Sequence, residues 1–182
     1  MIRVHPFEDL AAMAVFSRLD VHDHIEAELV RGAPTTALGL FAEWRAAQAQ
    51  GPVSLVATTG PSGKPFAVFA LGNTGQAGVA EGALLAADHL RHRMALARLA
   101  VAIRQRLPAF MAETGINRIE ARCWAGHPTA SRLLAAMGFR HETDLPGFAR
   151  DGTQTFRQFA WVRPATVPPT AAPDHPTPTT ET

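Results

Sequence analysis

The chain has 182 residues, a formal net charge of +1 and hydrophobic residues at nearly half of its positions. This is globular composition with enough apolar bulk for one core. It excludes a disordered chain and argues against a duplex-binding domain, which would carry a basic stripe. The single cysteine, Cys123, excludes intramolecular disulfides and cysteine-based zinc sites, and the chain contains no tyrosine.

No window reaches the roughly 18 apolar residues of a membrane span. The most apolar one, Met94 to Phe110, is interrupted by Arg98, Arg104, Gln105 and Arg106. The opening residues, Met1 to Pro6, hold no apolar stretch of signal-peptide length. A cytoplasmic protein without nucleic-acid or membrane partners is therefore expected.

A short strand is predicted at Ile2 to Val4, then a helix opening at Phe7 to Leu10 with Leu10, Met13, Ala14 and Phe16 as its apolar residues. A second helix is predicted from Asp20 to Arg31, broken by Gly32-Ala33-Pro34, and a third after Pro34 with Leu38, Phe41 and Trp44. The period then changes. Val53 to Thr58 and Pro65 to Leu71 read as strands joined by the turn Gly60 to Gly63. After Gly72 to Gly75, a third strand spans Gly78 to Ala87.

The longest helix follows, with apolar stripes Leu90, Met94, Ala97, Val101 and Leu99, Ile103, Leu107, Phe110. Pro108 kinks or ends it, and Gly115 is its stop. Arg118 to Trp124 alternates as a strand. A strand, a long helix and another strand predict a crossover with parallel pairing between Gly78–Ala87 and Arg118–Trp124. A short helix at Pro128 to Met137, closed by Gly138, precedes strands near Phe139 to Thr143 and Thr155 to Val162, with Asp151-Gly152 in the turn between them. The fold class is α/β: a central mixed sheet of six to seven strands flanked by helices, built from residues 1–163.

Pro164 to Thr182 is rich in Pro and Thr and nearly devoid of apolar bulk, which predicts a disordered tail. Truncation after Arg163 is expected to leave Tm unchanged within about two degrees, because such a tail has no apolar contacts to offer. A thermal melt showing a much larger drop would mean that it docks.

The segment His127-Pro128-Thr129-Ala130-Ser131-Arg132-Leu133-Leu134-Ala135-Ala136-Met137-Gly138-Phe139-Arg140-His141-Glu142 resembles the GNAT acyltransferase motif N-x-x-A-x-x-L-Y-x-x-x-G-F-x-x-E. Ala130, Leu133, Gly138, Phe139 and Glu142 match it. His127 stands in place of Asn, and Leu134 in place of Tyr. The order of elements from Ile2 to Val162 is similar to that superfamily as well. Its pyrophosphate loop, Q/R-x-x-G-x-G/A, falls on Arg91 to Leu96, where Arg91 matches but Met94 and Leu96 replace small residues.

The resemblance implies a central mixed sheet, acetyl-CoA as co-substrate and transfer of its acetyl group to the amine of a small molecule or peptide. A backbone N–H of the splayed fourth strand would hold the oxyanion. Arg91, His92 and Arg93 would face the pyrophosphate, Leu85 and Ala87 would run beside the pantetheine, and His127 would lie near the cofactor. Base candidates are Glu120, Asp88, Glu81 and His89. Glu120 reads first as an ion-pair partner of Arg118 and Arg122, and Asp88 first as a helix N-cap. The family's usual acid is a tyrosine, so Ser131 is the hydroxyl left on that helix.

Asp20-Val21-His22-Asp23-His24-Ile25-Glu26 gathers potential ligands. His22 and His24 lie about 200° apart on a helix and cannot share a metal, so no metal site is expected. The resemblance instead places this helix at the acceptor wall. The run Ala86 to Arg93 and the helical first third also resemble small GNAT-like proteins of tailed phages. That likeness implies the alternative of a catalytically inactive fold associated with virion proteins.

Overall fold

The computed structural model describes residues 1–48, 51–60 and 63–164. The strands are β1 (Ile2–Pro6), β2 (Val53–Thr59), β3 (Lys64–Asn73), β4 (Val79–Ala86), β5 (Arg118–Trp124), β6 (Arg140–Phe148) and β7 (Gln154–Val162). The helices are α1 (Asp9–Phe16), α2 (Val21–Arg31), α3 (Ala37–Gln48), α4 (His89–Thr114) and α5 (Ala130–Ala136). They surround one seven-stranded sheet in the order β1-β2-β3-β4-β5-β7-β6. No described helix is long and apolar enough to cross a membrane. All but the first residue of the Pro/Thr-rich tail lies outside the described residues.

Helices sit on both faces of the sheet. Ala12, Val15, Phe16, Ala27 and Leu40 of α1 to α3 pack on Val56 and Val68. On the other face, Ala100, Leu107 and Met111 of α4 pack with Ile119, Ala121, Cys123 and Phe159, and Leu133 and Leu134 of α5 join them. Ile119, Ala121 and Cys123 are all buried, as their alternation along β5 predicts.

The meander β1 to β4 is antiparallel throughout. The crossover through α4 makes β4 and β5 parallel, but their pairing stops after three residues, Val79↔Arg118, Ala80↔Ile119 and Glu81↔Glu120. Beyond Gly82 the two strands part. This splay creates the site, because it leaves two strand edges inside the protein with no ladder partner.

Several boundaries differ from the sequence reading: β1 runs on to Pro6, and α5 is shorter than Pro128 to Met137. β3 continues through Gly72 to Asn73, so the following turn starts later. α4 stops at Gly115, as read, and Pro108 does not end it: proline removes one ladder hydrogen bond, but the packing of Leu107 and Met111 holds the helix together across it. β6 extends past Thr143 to Phe148, because its register shifts between Leu145 and Phe148 absorb Pro146 and Gly147.

Candidate active site

α2 carries Asp23, Glu26, Ala27 and Val30 at i, i+3, i+4 and i+7, on the stripe that faces the sheet. Asp20 starts the helix by accepting from its own His22 N–H at 3.0 Å, and Gly32 ends it in the left-handed conformation at φ 66°. Two acidic residues in an otherwise apolar stripe need partners, and the splay supplies them. Asp23 Oδ2 accepts the Ala86 N–H of β4 at 2.7 Å. Glu26 Oε2 accepts the Trp124 N–H of β5 at 3.0 Å. One face of α2 thus satisfies the end of each parted strand.

Between these ends and the last parallel pair lies a cavity of about 830 Å³. It crosses the sheet. On one face it is bounded by Val30, Leu40 and Trp44 of α2 and α3 and by Phe148; on the other by Leu96 of α4 and by Leu133, Leu134 and Met137 of α5. Glu81 to Leu85 and Ala121 to Cys123 form the gap itself. The Ala87 N–H donates to Phe66 of β3 at 2.8 Å. By strand alternation the N–H groups of Ala86 and Leu84 point the other way, into the gap.

The environment of Glu26 is mostly apolar. Burial raises its carboxyl pKa to about 7, against the Trp124 N–H and His127, which favour the charged form. It is a half-buried carboxylate poised to exchange a proton near neutrality, which is the property of a general base. The sequence reading placed α2 on the acceptor wall but did not single out Glu26. Its partner is 98 residues away, and the visible signal was only its place on the inward stripe.

Asp23 is buried, with the His127 Nε2–H donating to Oδ1 at 2.9 Å and His89 Nε2 lying 3.1 Å from the same oxygen. The His89 contact is close but does not meet hydrogen-bond geometry, which leaves its buried Nε2 without a hydrogen-bond partner among the described residues. Burial opposes charge on Asp23, but the two imidazoles and the Ala86 N–H outweigh it and lower its pKa. Burial likewise opposes charge on His89, and Asp23, Asp20 and Asp88 outweigh it in the raising direction.

Asp23, His89 and His127 bring three potential metal ligands together. The donor set does not suit a metal. His127 Nδ1 accepts the N–H groups of Thr129 at 3.2 Å and Ala130 at 3.0 Å, which fixes the ring proton on Nε2. A metal at Nε2 would move that proton to Nδ1, against two N–H donors. His127 is the cap of α5 and the partner of Asp23.

The other sequence candidates are dispersed. Asp88 caps α4, accepting the Arg91 N–H at 3.0 Å, while Asp20 accepts the His89 N–H at 2.8 Å. Two amides of the first turn are thus taken by the protein's own carboxylates, which would also repel a phosphate there. Arg93 lines the cavity mouth together with Arg132 of α5. Arg91 is exposed and is not among the lining residues. His92 stacks on Phe66 at 5.6 Å, and burial followed by the Arg91 charge lowers its pKa, so it does not offer a cation.

Leu85 lines the cavity, whereas Ala87 is buried against β3. Glu120 accepts from Arg118 Nε at 2.6 Å within a cluster that includes Glu142, and it does not line the cavity. Glu81 does, paired with Arg122 at 2.5 Å. Ser131 accepts from Arg157 Nη1 at 3.0 Å, sits 3.5 Å from Cys123 Sγ and is not a lining residue.

No model of a known protein family matches the chain, and neither does any curated protein sequence. Solved structures do. An acetyltransferase of the GNAT family from Bacillus anthracis has a TM-score of 0.66 at 12% identity, over 88% of this chain and 94% of that one. The ribosomal-protein-S18-alanine N-acetyltransferase of Escherichia coli has 0.64 at 16%, over 94% and 99%. A Salmonella typhimurium protein solved with its cofactor acetyl-CoA has 0.64 at 14%, over 94% and 99%. With its parallel β4–β5 pair, its splay and its flanking helices, the chain has the GNAT fold.

Proposed function

We propose that the protein is an N-acyltransferase that takes an acetyl group from acetyl-CoA and passes it to an amine. The observation that carries this reading is the cavity crossing the sheet at the splay, with the Glu26 carboxyl inside it near its neutral point. The donor enters between α4 and α5, along Leu96, Leu133 and Met137, and its phosphates meet the side chains of Arg93 and Arg132 rather than the filled α4 terminus. The thioester carbonyl accepts from the Leu84 N–H, which holds the developing oxyanion. The amine arrives from the opposite face past Val30, Leu40, Trp44 and Phe148, a wall suited to an acceptor with an apolar body beside its amine. Glu26 takes the proton as nitrogen attacks.

Calorimetric titration with CoA, followed by thiol release from acetyl-CoA over a panel of amines, tests this. Wild type should bind, and the double variant Arg93→Glu/Arg132→Glu should bind at least about tenfold more weakly, since two charge-assisted contacts to phosphate become repulsive. Wild-type affinity in the double variant would refute the donor path.

One observation favours a second reading. Asp20 and Asp88 fill amides of the α4 terminus that could otherwise hold a phosphate. A GNAT fold that has become an interaction module, for a virion or another assembly, would tolerate this. No CoA binding and no thiol release would select that reading.

A further inference from the structure

Acyl transfer from a thioester must expel a thiolate. An alkyl thiolate has a conjugate acid near pKa 8.5, so a proton delivered as the C–S bond breaks speeds the step. Among the described cavity-lining residues few groups can supply one. Leu134 is apolar, and Arg31, Arg93, Arg122 and Arg132 do not release protons. Cys123 is buried with its thiol pKa pushed up by that burial, and Glu26 is committed to the amine. Glu43 and Glu81 are ion-paired with Arg31 and Arg122, and Asp23 and His127 bond each other. Two further lining residues are in direct contact: Thr129 Oγ1 lies 3.2 Å from His89 Nδ1.

We propose, resting on the acyltransfer reading, that the Thr129 hydroxyl protonates the departing thiolate and that His89 resupplies the proton. Burial opposes charge on His89, but three carboxylates around it favour the cation and outweigh burial: Asp23 at 3.1 Å from Nε2, Asp20 at 3.8 Å from Nδ1, and Asp88 one residue before it. The facing His127 ring, 5.4 Å away, is held by the Thr129 and Ala130 N–H groups at Nδ1 and by Asp23 at Nε2.

Charge on His89 sets the direction of the Thr129 hydroxyl. An imidazolium is a donor at both nitrogens. Nδ1–H then donates to Thr129 Oγ1, and the hydroxyl's own proton, which has no other described acceptor, is left for the cavity. A neutral His89 with a bare Nδ1 would turn that proton inward.

The step balances. The C–S bond of the tetrahedral intermediate breaks and its electron pair goes to sulfur. The Oγ–H proton moves to sulfur, and the Nδ1–H proton moves to Oγ. His89 is left neutral. The proton that Glu26 took from the attacking nitrogen returns through solvent to recharge His89, so no proton is gained or lost over a turnover.

Leaving-group dependence provides the test, because a structural role would not produce it. Thr129→Val removes the hydroxyl at nearly constant shape, and Thr129→Ser keeps it. With acetyl-CoA, Thr129→Val should lose about 10²-fold in kcat, the usual scale of acid assistance, while Thr129→Ser should stay within a few-fold of wild type. With an aryl thioester, whose thiolate leaves unaided, the Thr129→Val deficit should shrink to a few-fold.

The pH profile of wild type should lose activity as pH rises through the raised His89 pKa, and Thr129→Val should lose that limb. An equal deficit on both thioesters, or a Thr129→Val rate within twofold of wild type on acetyl-CoA, would overturn the relay while leaving acyl transfer intact. No thiol release by wild type from either thioester would overturn the relay and the acyltransfer reading together.

Discussion

Glu26→Gln is expected to lower kcat for acyl transfer by about 10²- to 10⁴-fold, the range of general-base assistance, while leaving CoA affinity within a few-fold. The amide keeps a carbonyl oxygen for the Trp124 N–H, so the fold at the splay is retained. What is lost is the group whose pKa burial has pushed up to about 7.

The rate of wild type should accordingly rise with pH through about 7, and Glu26→Gln should flatten that limb. Stability moves in the opposite sense. A carboxyl whose folded pKa lies above its unfolded value contributes stability while protonated and loses it as pH rises through the folded value. Glu26→Gln should therefore be more stable than wild type above pH 7 and show little difference near pH 5. Denaturant melts at the two pH values check this independently of any substrate. A variant that keeps wild-type kcat would remove Glu26 from the chemistry, whatever its stability.

How far the sequence reaches is visible in Glu26 and Asp23, neighbours on α2. The elements were legible where a stripe is buried: Ile119, Ala121 and Cys123 mark β5, and Leu99 and Leu107 mark the inner side of α4, whereas Leu90, Met94 and Val101 of the second predicted α4 stripe are exposed. The parallel pairing followed from the crossover. The length of that pairing did not, because nothing local in Gly82 or Ala121 states where two strands stop touching.

Adjacency in sequence misled most at Arg91-His92-Arg93. Successive helical residues turn about 100° apart, so one basic run sends Arg93 to the cavity, His92 to Phe66 and Arg91 to the surface. Asp88 as a helix cap was readable, since a cap is a local device. The pairing of Glu26 with Trp124 and of Asp23 with His127 joins residues about a hundred positions apart, and only the folded sheet brings them together.

Asp23→Ala is expected to cost about 3–5 kcal/mol, the penalty for removing one partner of a buried, hydrogen-bonded charge. For a domain of this size that lowers Tm by roughly 10 °C. Two hydrogen-bond donors lose their acceptor at once, the Ala86 N–H and the His127 Nε2–H, and His89 loses the carboxylate 3.1 Å from its Nε2. Asp23→Asn should cost less, because the amide oxygen can still accept one of these bonds.

The pH dependence separates the contributions. Asp23 has a depressed folded pKa, so its stabilisation is complete above its unfolded value of about 4 and is lost as pH falls through the folded one. His89 has a raised folded pKa, so its share is complete below about 6.5 and is lost as pH rises through the folded value. The gap between wild type and Asp23→Ala should therefore be widest between about pH 4 and 6.5, and should narrow on both sides. Urea melts across that range read the gap directly. A difference that is constant with pH, or below about 1 kcal/mol throughout, would mean that the Asp23–His89–His127 cluster does not hold α2 to the splayed strands.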